Sequence, residues 1–446
     1  MNEPGAYSER LLAALPAVGV EPRPVEREHP ALAWARSGAM ALTGCAEEPP
    51  RLAPTPLASV ASAALDVLRA LAPGSRLAHL DGAALLGERA AYLGLARRGR
   101  ISPGGASRLL RARGAWIALT LPRDDDRALL PAWLETPDAF DADPWARVES
   151  LAAERPAAEL VARARLVGLA AALAGPPADR APPWLRVAAR APGRTPARAV
   201  PLVVDLSALW AGPLCGRLLA LAGARVVKVE SPARPDGARF GPPAFYAALN
   251  ADKESVALDF RTAEGMRSLR ALVARADVVI ESARPRALSQ LGIDAAERAG
   301  EGTVWVSITG YGRREPEGGW IAYGDDAAAA AGLAAATGDP GAPLFCGDAI
   351  ADPLTGLHAA VAALAHLRAR EGALLELALR DVAAQAAVLG DARDGARVAA
   401  QGDGFEVVAG AARAPVAGPR AARPIGAARP LGADTAAVLA ELGRRC

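Results

Sequence analysis

The 446-residue sequence predicts an α/β protein: a parallel-sheet domain joined to a smaller α+β unit. Three observations carry that expectation. Five short runs rich in Val and Ile ("PLVVDLS", "RVVKVES", "SVALDF", "DVVIES", "TVWVSITG") recur between 201 and 310. Helical patterns such as "AGPLCGRLLALAGA" and "TAEGMRSLRALVARA" alternate with them, and strand–helix alternation argues for a parallel, Rossmann-like sheet. The runs are also apolar throughout, which suits strands covered on both faces.

In chain order, residues 1–72 read as a helical N-terminal segment. Its "SGAMALTGCAEEPPRLAPTPLASVASAALDVLRAL" (37–71) echoes 330–367, with Ser59 falling opposite Asp352. Residues 73–175 read as the small α+β unit, with a strand in "GAWIALTLP" and helices in "DRALLPAWLE" and "PAAELVARARLVGLAAALAG". The acidic run Asp124–Asp126 before the first helix is expected to cap it and complement its dipole. Pro/Arg-rich 176–199 is expected to be a linker. Residues 200–386 hold the large sheet domain, whose 262–276 helix opens at Thr262 with Glu264 in its first turn. Residues 387–446 are expected to return to the large domain, and 391–432 reads as irregular.

Basic and acidic residues nearly balance, 51 against 49, so nothing points to a nucleic-acid partner. Only two of the basic residues are lysines, Lys228 and Lys253, which composition bias accounts for. Four dispersed cysteines, with no CxxC and no His–Cys clustering, argue against structural zinc and disulfides and fit a reducing cytoplasm. The N-terminus is a poor signal peptide, and no uncharged apolar run approaches the ~20 residues of a membrane span.

The stretch "CGDAIADPLTGLH" places Asp348 and Asp352 in apolar surroundings before an Ala/Leu-rich helix. Taken alone, Asp352 is open to two readings, a helix N-cap or a reacting carboxylate. Asp348 reads as a turn residue after Gly347. His358 and His366, eight apart on one helix, read as packing residues. The Gly-Pro turn at 212–213 leaves backbone N–H groups free at a helix start, where phosphate can bind, but there is no G-x-G-x-x-G.

Region 201–386 resembles the family III CoA-transferases, the group containing formyl-CoA transferase and the carnitine-CoA transferases. Seven pieces occur in family order: "VVDLSALWAGP", "LAGARVVKVESP", "LNADKESVALDFRTAEG", "ARADVVIESARPRALSQLGI", "VSITGYG", "YGDDAAAAAGLAAATGDPGAP" and "IADPLTGL". The late "RPLGADTAAVLAELG" is similar to the family's closing motif.

The resemblance implies that Asp352 is the nucleophile, moving CoA between carboxylic acids through an aspartyl-CoA thioester. It implies that Ala211, Leu258, Arg261 and Tyr323 line the CoA pocket. The partners are then an acyl-CoA and a carboxylic acid, with no metal and no resident cofactor, CoA thioester being substrate. It also implies interlocked homodimers. Departures are Ser282-Ala283 and Gln290, where the family carries Asn-Phe and an arginine; Arg284 and Arg286 are candidates to replace that charge. The small unit precedes the large domain here, the reverse of the family order, so the architecture is expected to be permuted and 1–190 to be an integral half. Two alternatives stand beside transfer. One is an acyl-CoA racemase or isomerase of the same fold, disfavoured because racemases carry His at Tyr323. The other is a non-catalytic CoA-binding paralogue.

Overall fold

The computed structural model describes residues 4–21, 28–137, 140–141, 143–194, 199–339, 341–422 and 426–443. Strands β1 (Ser107–Arg111), β2 (Trp116–Thr120) and β3 (Ala170–Leu173) form an antiparallel sheet. Seven strands form the large sheet: β4 (Arg186–Pro192), β5 (Leu202–Asp205), β6 (Arg225–Glu230), β7 (Glu254–Ala257), β8 (Val278–Glu281), β9 (Val304–Thr309) and β10 (Glu371–Ala378). Their order is β4-β10-β9-β8-β5-β6-β7, parallel except for β4. Strands β5 and β8 are buried along their whole length, so the α/β fold expected from their unbroken Val/Ile runs is present. β11 (Ala396–Gln401), β12 (Gly404–Ala409) and β13 (Ala412–Pro415) form a meander.

Helices cover both faces of the large sheet. On one face, helix Ala351–Ala369 is buried nearly all round, wedged between helices Leu57–Leu71 and Ala211–Leu221 and the strands β9 and β10. The resulting core unites Leu57, Leu65 and Leu68 with Leu354, Leu357 and Val361. Helix Ala263–Arg275 covers the other face. Buried His358 extends the first core: its Nδ1 meets the Leu354 carbonyl at 2.7 Å and its Nε2 meets the Tyr7 hydroxyl at 2.7 Å. Burial pushes that imidazole down to about 4, so it packs as a neutral ring, with Nδ1–H donating and Nε2 accepting. The 396–415 meander rests on helix Pro30–Arg36, where the Ala417 N–H donates to the Ala35 carbonyl.

Several expectations are corrected. The stretch 176–199 is not wholly a linker: Arg186–Pro192 is the edge strand β4, with alternating exposure, while 195–198 lies outside the described residues. The helix expected through "VGLAAALAG" stops at Val167, because Gly168 takes a left-handed φ of 87°, and the alanines that follow pair with β2. "EGALLELA" is β10, split from the preceding helix by left-handed Arg370. The 391–432 stretch carries the β11–β13 meander, turned at Gly402 and Gly410 with φ of 56° and 59°. No helix among the described residues is long and apolar enough to cross a membrane.

Candidate active site

Asp352 is the second residue of helix Ala351–Ala369, and Ile350 occupies the N-cap position, so the N-cap reading is set aside. The chain enters this helix through a strained turn. Gly347 and Ala349 both have left-handed φ, 67° and 43°. For alanine that conformation costs about 1–2 kcal/mol, so the surroundings must hold it. Three segments do so. The Gly347 N–H donates to Thr43 Oγ1 at 2.9 Å, and the Ala349 N–H donates to Asp325 Oδ1 at 2.8 Å. Asp348, fully buried, takes two hydrogen bonds from Arg89, Nε to Oδ2 at 2.8 Å and Nη2 to Oδ1 at 2.5 Å. Asp348 is therefore the turn residue expected and also half of a buried ion pair.

Helix Gly324–Ala330 approaches the same turn. The Gly324 N–H lies near the Asp352 carboxylate and favours its ionised form. The backbones meet so closely that a Cβ on Gly324 would lie 2.3 Å from both Asp352 Oδ2 and the Ala349 oxygen. Asp325 also accepts from Ser107 Oγ of β1 at 2.9 Å, while Asp326 accepts from the Tyr323 N–H at 2.8 Å and from Thr120 Oγ1 of β2 at 3.2 Å. Side chains of the small unit are thus tied to the segment that touches Asp352.

Burial pushes the Asp352 carboxyl up to about 7, with Asp325 and Asp326 adding to the rise and Arg89 and the Gly324 N–H opposing it. The residue as a whole is only partly buried. Asp326 is likewise pushed up to about 7 by burial, and Asp325 is raised by burial and by Asp348. A carboxyl so poised exchanges its proton near neutrality and, ionised, offers a nucleophilic oxygen.

Ala211 opens the helix after β5, and its carbonyl packs on Gly356, one turn beyond Asp352; a Cβ on Gly356 would lie 2.7 Å from that oxygen. Tyr323 adjoins Gly324, and burial pushes its phenol up to about 12. Ala211 is thus packed one helical turn from Asp352, and Tyr323 is the chain neighbour of the glycine that packs on it. Leu258 and Arg261 do not touch it. Leu258 is buried in the core on the other face, and Arg261, largely exposed, pairs with Asp259 at 2.9 Å beyond edge strand β7. Ser282 Oγ accepts the Ala208 N–H at 3.1 Å, tying together the loops after β5 and β8, where the strand order reverses. Arg286 is exposed and paired with Glu315.

The two lysines hold the turn after β5. Lys253 Nζ reaches Asp205 and the Pro213 carbonyl, each at 2.8 Å; Lys228 Nζ reaches Asp236 and the Ser207 carbonyl, each at 2.9 Å. Sequence reasoning missed Arg89, Asp325 and Gly324. The one local signal was the acidic pair in "GDDAAAA", carboxylates beside an apolar run. A cavity of about 770 Å³ lies at the opposite ends of the strands, lined by Arg76, Gly223, Asp277 and Glu371, away from Asp352.

The poised carboxylate thus lies beside the C-terminal edge of a parallel sheet, the side on which open α/β sheets bind their ligands. Residues 201–401 match the model of CoA-transferase family III. Succinate–glutarate CoA-transferase of Agrobacterium fabrum is 37% identical over 218 residues, covering 44% of this chain and 54% of that protein. Succinyl-CoA–D-citramalate CoA-transferase of Chloroflexus aurantiacus is 34% identical over 179 residues, covering 38% and 44%. Formyl-CoA:oxalate CoA-transferase of Escherichia coli is 32% identical over 179 residues, covering 38% and 43%. The chain thus spans about half the length of the curated relatives it matches. A CAIB/BAIF family protein from Brucella suis shares 30% identity and a TM-score of 0.43, over 48% of this chain and 66% of that one.

Proposed function

We propose that this protein moves CoA between carboxylic acids through an aspartyl-CoA thioester on Asp352. The observation that carries this reading is the carboxylate itself, raised to about 7 at the start of helix Ala351–Ala369. An Asp352 oxygen adds to the carbonyl of the donor thioester, and CoA leaves as thiolate, giving a mixed anhydride. The thiolate attacks the aspartyl carbonyl, which releases the donor acid and leaves the aspartyl-CoA thioester. The acceptor carboxylate attacks that thioester, again expelling thiolate. Attack of the thiolate on the acceptor's acyl carbonyl then releases the new acyl-CoA and restores Asp352. No metal and no resident cofactor enters these steps; CoA is substrate.

Tyr323 and Ala211, near Asp352, are assigned to the thioester end of CoA. Arg261 and Leu258, two strands from β5 across β6 and β7, are assigned to its nucleotide end. Strands lie about 4.8 Å apart, so the offset is roughly 10 Å, which the long pantetheine arm can span. Tyr323, its phenol at about 12, is no base for proton exchange, so the racemase reading loses support. We further propose that the small unit stands first through rearrangement of the family order, that protomers pair, and that the protein works in the cytoplasm.

The test is mass spectrometry of the full chain mixed with a panel of acyl-CoAs. The expected result is CoA bound covalently to the Asp352 peptide, and its loss together with transfer in Asp352→Asn. Asn keeps an oxygen near the Gly324 N–H, so the variant should fold. Near wild-type transfer by Asp352→Asn, with deamidation excluded, would end the covalent reading. A protein that binds CoA without ever forming the adduct would instead favour the non-catalytic paralogue.

A further inference from the structure

Arg89 comes from helix Glu88–Leu93, 259 residues before the aspartate it binds. Its guanidinium lies between the 347–352 turn and Trp210, which precedes the helix after β5. One side grips Asp348 through two hydrogen bonds, in the fork geometry that arginine offers and lysine lacks. Its Cζ also lies 5.6 Å from the centre of the Trp210 ring, the residue preceding Ala211. Gly104 makes the fit feasible, since a Cβ there would lie 2.8 Å from Nη2. The neighbouring Glu88 anchors the same helix by a buried ion pair to Arg217 at 2.6 Å.

The charges around Arg89 are acidic. Asp348 faces it from the turn, Asp325 from helix Gly324–Ala330 and Asp352 from helix Ala351–Ala369. At Asp352, Arg89 is the cation that opposes Asp325 and Asp326. Burying several carboxylates together is costly unless a cation is held among them. Neutralising Asp348 alone would require only nearby positive charge. The two-point grip and the contact with Trp210 instead fix the position of that charge relative to the turn.

We propose that Arg89 is a positioning residue for the Asp352 reaction, fixing the 347–352 turn through Asp348 and keeping Asp352 a carboxylate aimed at substrate. The N-terminal part of the chain therefore completes the site. This rests on the reading of Asp352 as nucleophile.

The experiment uses the full-length protein and follows kcat/KM and kcat for transfer from pH 5 to 9, with thermal melts of each variant. In Arg89→Met the acid limb of kcat/KM should move up by about 1 pH unit or more, because the opposing charge is gone. In Arg89→Lys the limb should stay near the wild-type position while kcat falls about 10- to 100-fold, because charge remains without the two-point grip. If Arg89 served only to neutralise Asp348, the double variant Arg89→Met/Asp348→Asn would recover wild-type rate and limb; that recovery would overturn the proposal. Should Arg89→Met fail to fold, Arg89→Lys decides the matter, since wild-type kcat there is equally fatal. The two readings fail separately. An active Asp352→Asn removes the nucleophile, whereas an inert Asp352→Asn beside an unmoved limb in Arg89→Met removes this inference alone.

Discussion

Adding one methyl group at position 324 tests whether the approach of helix Gly324–Ala330 sets the geometry of Asp352. Gly324 does not have a left-handed φ, so alanine can adopt its backbone conformation and the effect of Gly324→Ala is steric. The new Cβ would lie 2.3 Å from Asp352 Oδ2, 2.3 Å from the Ala349 oxygen and 2.7 Å from the Ala349 carbonyl carbon. Ordinary contact needs about 3.5 Å, so the two segments must part by roughly 1 Å. The carboxylate can swing aside, but the Ala349 oxygen belongs to the strained turn and cannot move without it. Overpacking of this kind costs about 1–3 kcal/mol of stability. A displacement of about 1 Å in a reacting group costs on the order of 100-fold in rate. Steady-state transfer, intact-mass detection of the CoA adduct and thermal melts read these effects together. Gly300→Ala is the control, since nothing lies within 4 Å of its Cβ, and it should stay within about 0.5 kcal/mol of wild type. Wild-type kcat and adduct yield in Gly324→Ala would show that this contact does not position the nucleophile.

Asp352 also predicts opposite pH trends for rate and stability. Its folded carboxyl stands at about 7 against an ordinary 3.8, so transfer should decline below pH 7, while the stability its protonated form contributes is lost as pH rises through 7. His358 and His366, lowered to about 4, act in the other direction below 6.5, so the comparison is best made as a difference. Asp352→Asn should melt above wild type at pH 8, with the advantage shrinking below pH 7 and gone only by about pH 4; an advantage that grows as pH falls would contradict the raised carboxyl. A 196–446 fragment should be insoluble or inactive. It loses Thr43 and Arg89 and bares the surface that Leu57, Val60, Leu65, Val67, Leu68 and Leu71 help to cover. Exposing even part of that apolar area costs about 5 kcal/mol or more, much of a typical folding stability. Full transfer by the soluble fragment would disprove it.

Legibility followed side-chain chemistry. The runs at β5, β6, β8 and β9 could be read because β-branched residues buried on both faces leave no alternation to mistake for a helix. β3 and β10 were hidden by alanine and leucine, which serve strand and helix equally when a neighbouring strand supplies the hydrogen bonds. β4 was hidden by its Pro/Arg content, tolerable because it lies at the sheet edge. Asp352 was singled out only through resemblance, since its residue pattern alone also fitted a cap. Arg89 had no local signal at all: one arginine in an arginine-rich chain, its meaning set by a partner 259 residues away.

The placement of the lysines has a chemical consequence. Activated acyl groups, thioesters among them, modify exposed amines without any catalyst, and each such event would neutralise a surface charge. Here both lysines are buried, 1% and 2% exposed, and each is locked to an aspartate. Every other basic side chain apart from the four histidines is a guanidinium, which such reagents leave alone. The folded protein therefore offers acylating agents no lysine, and labelling at its lysines will report unfolding rather than surface.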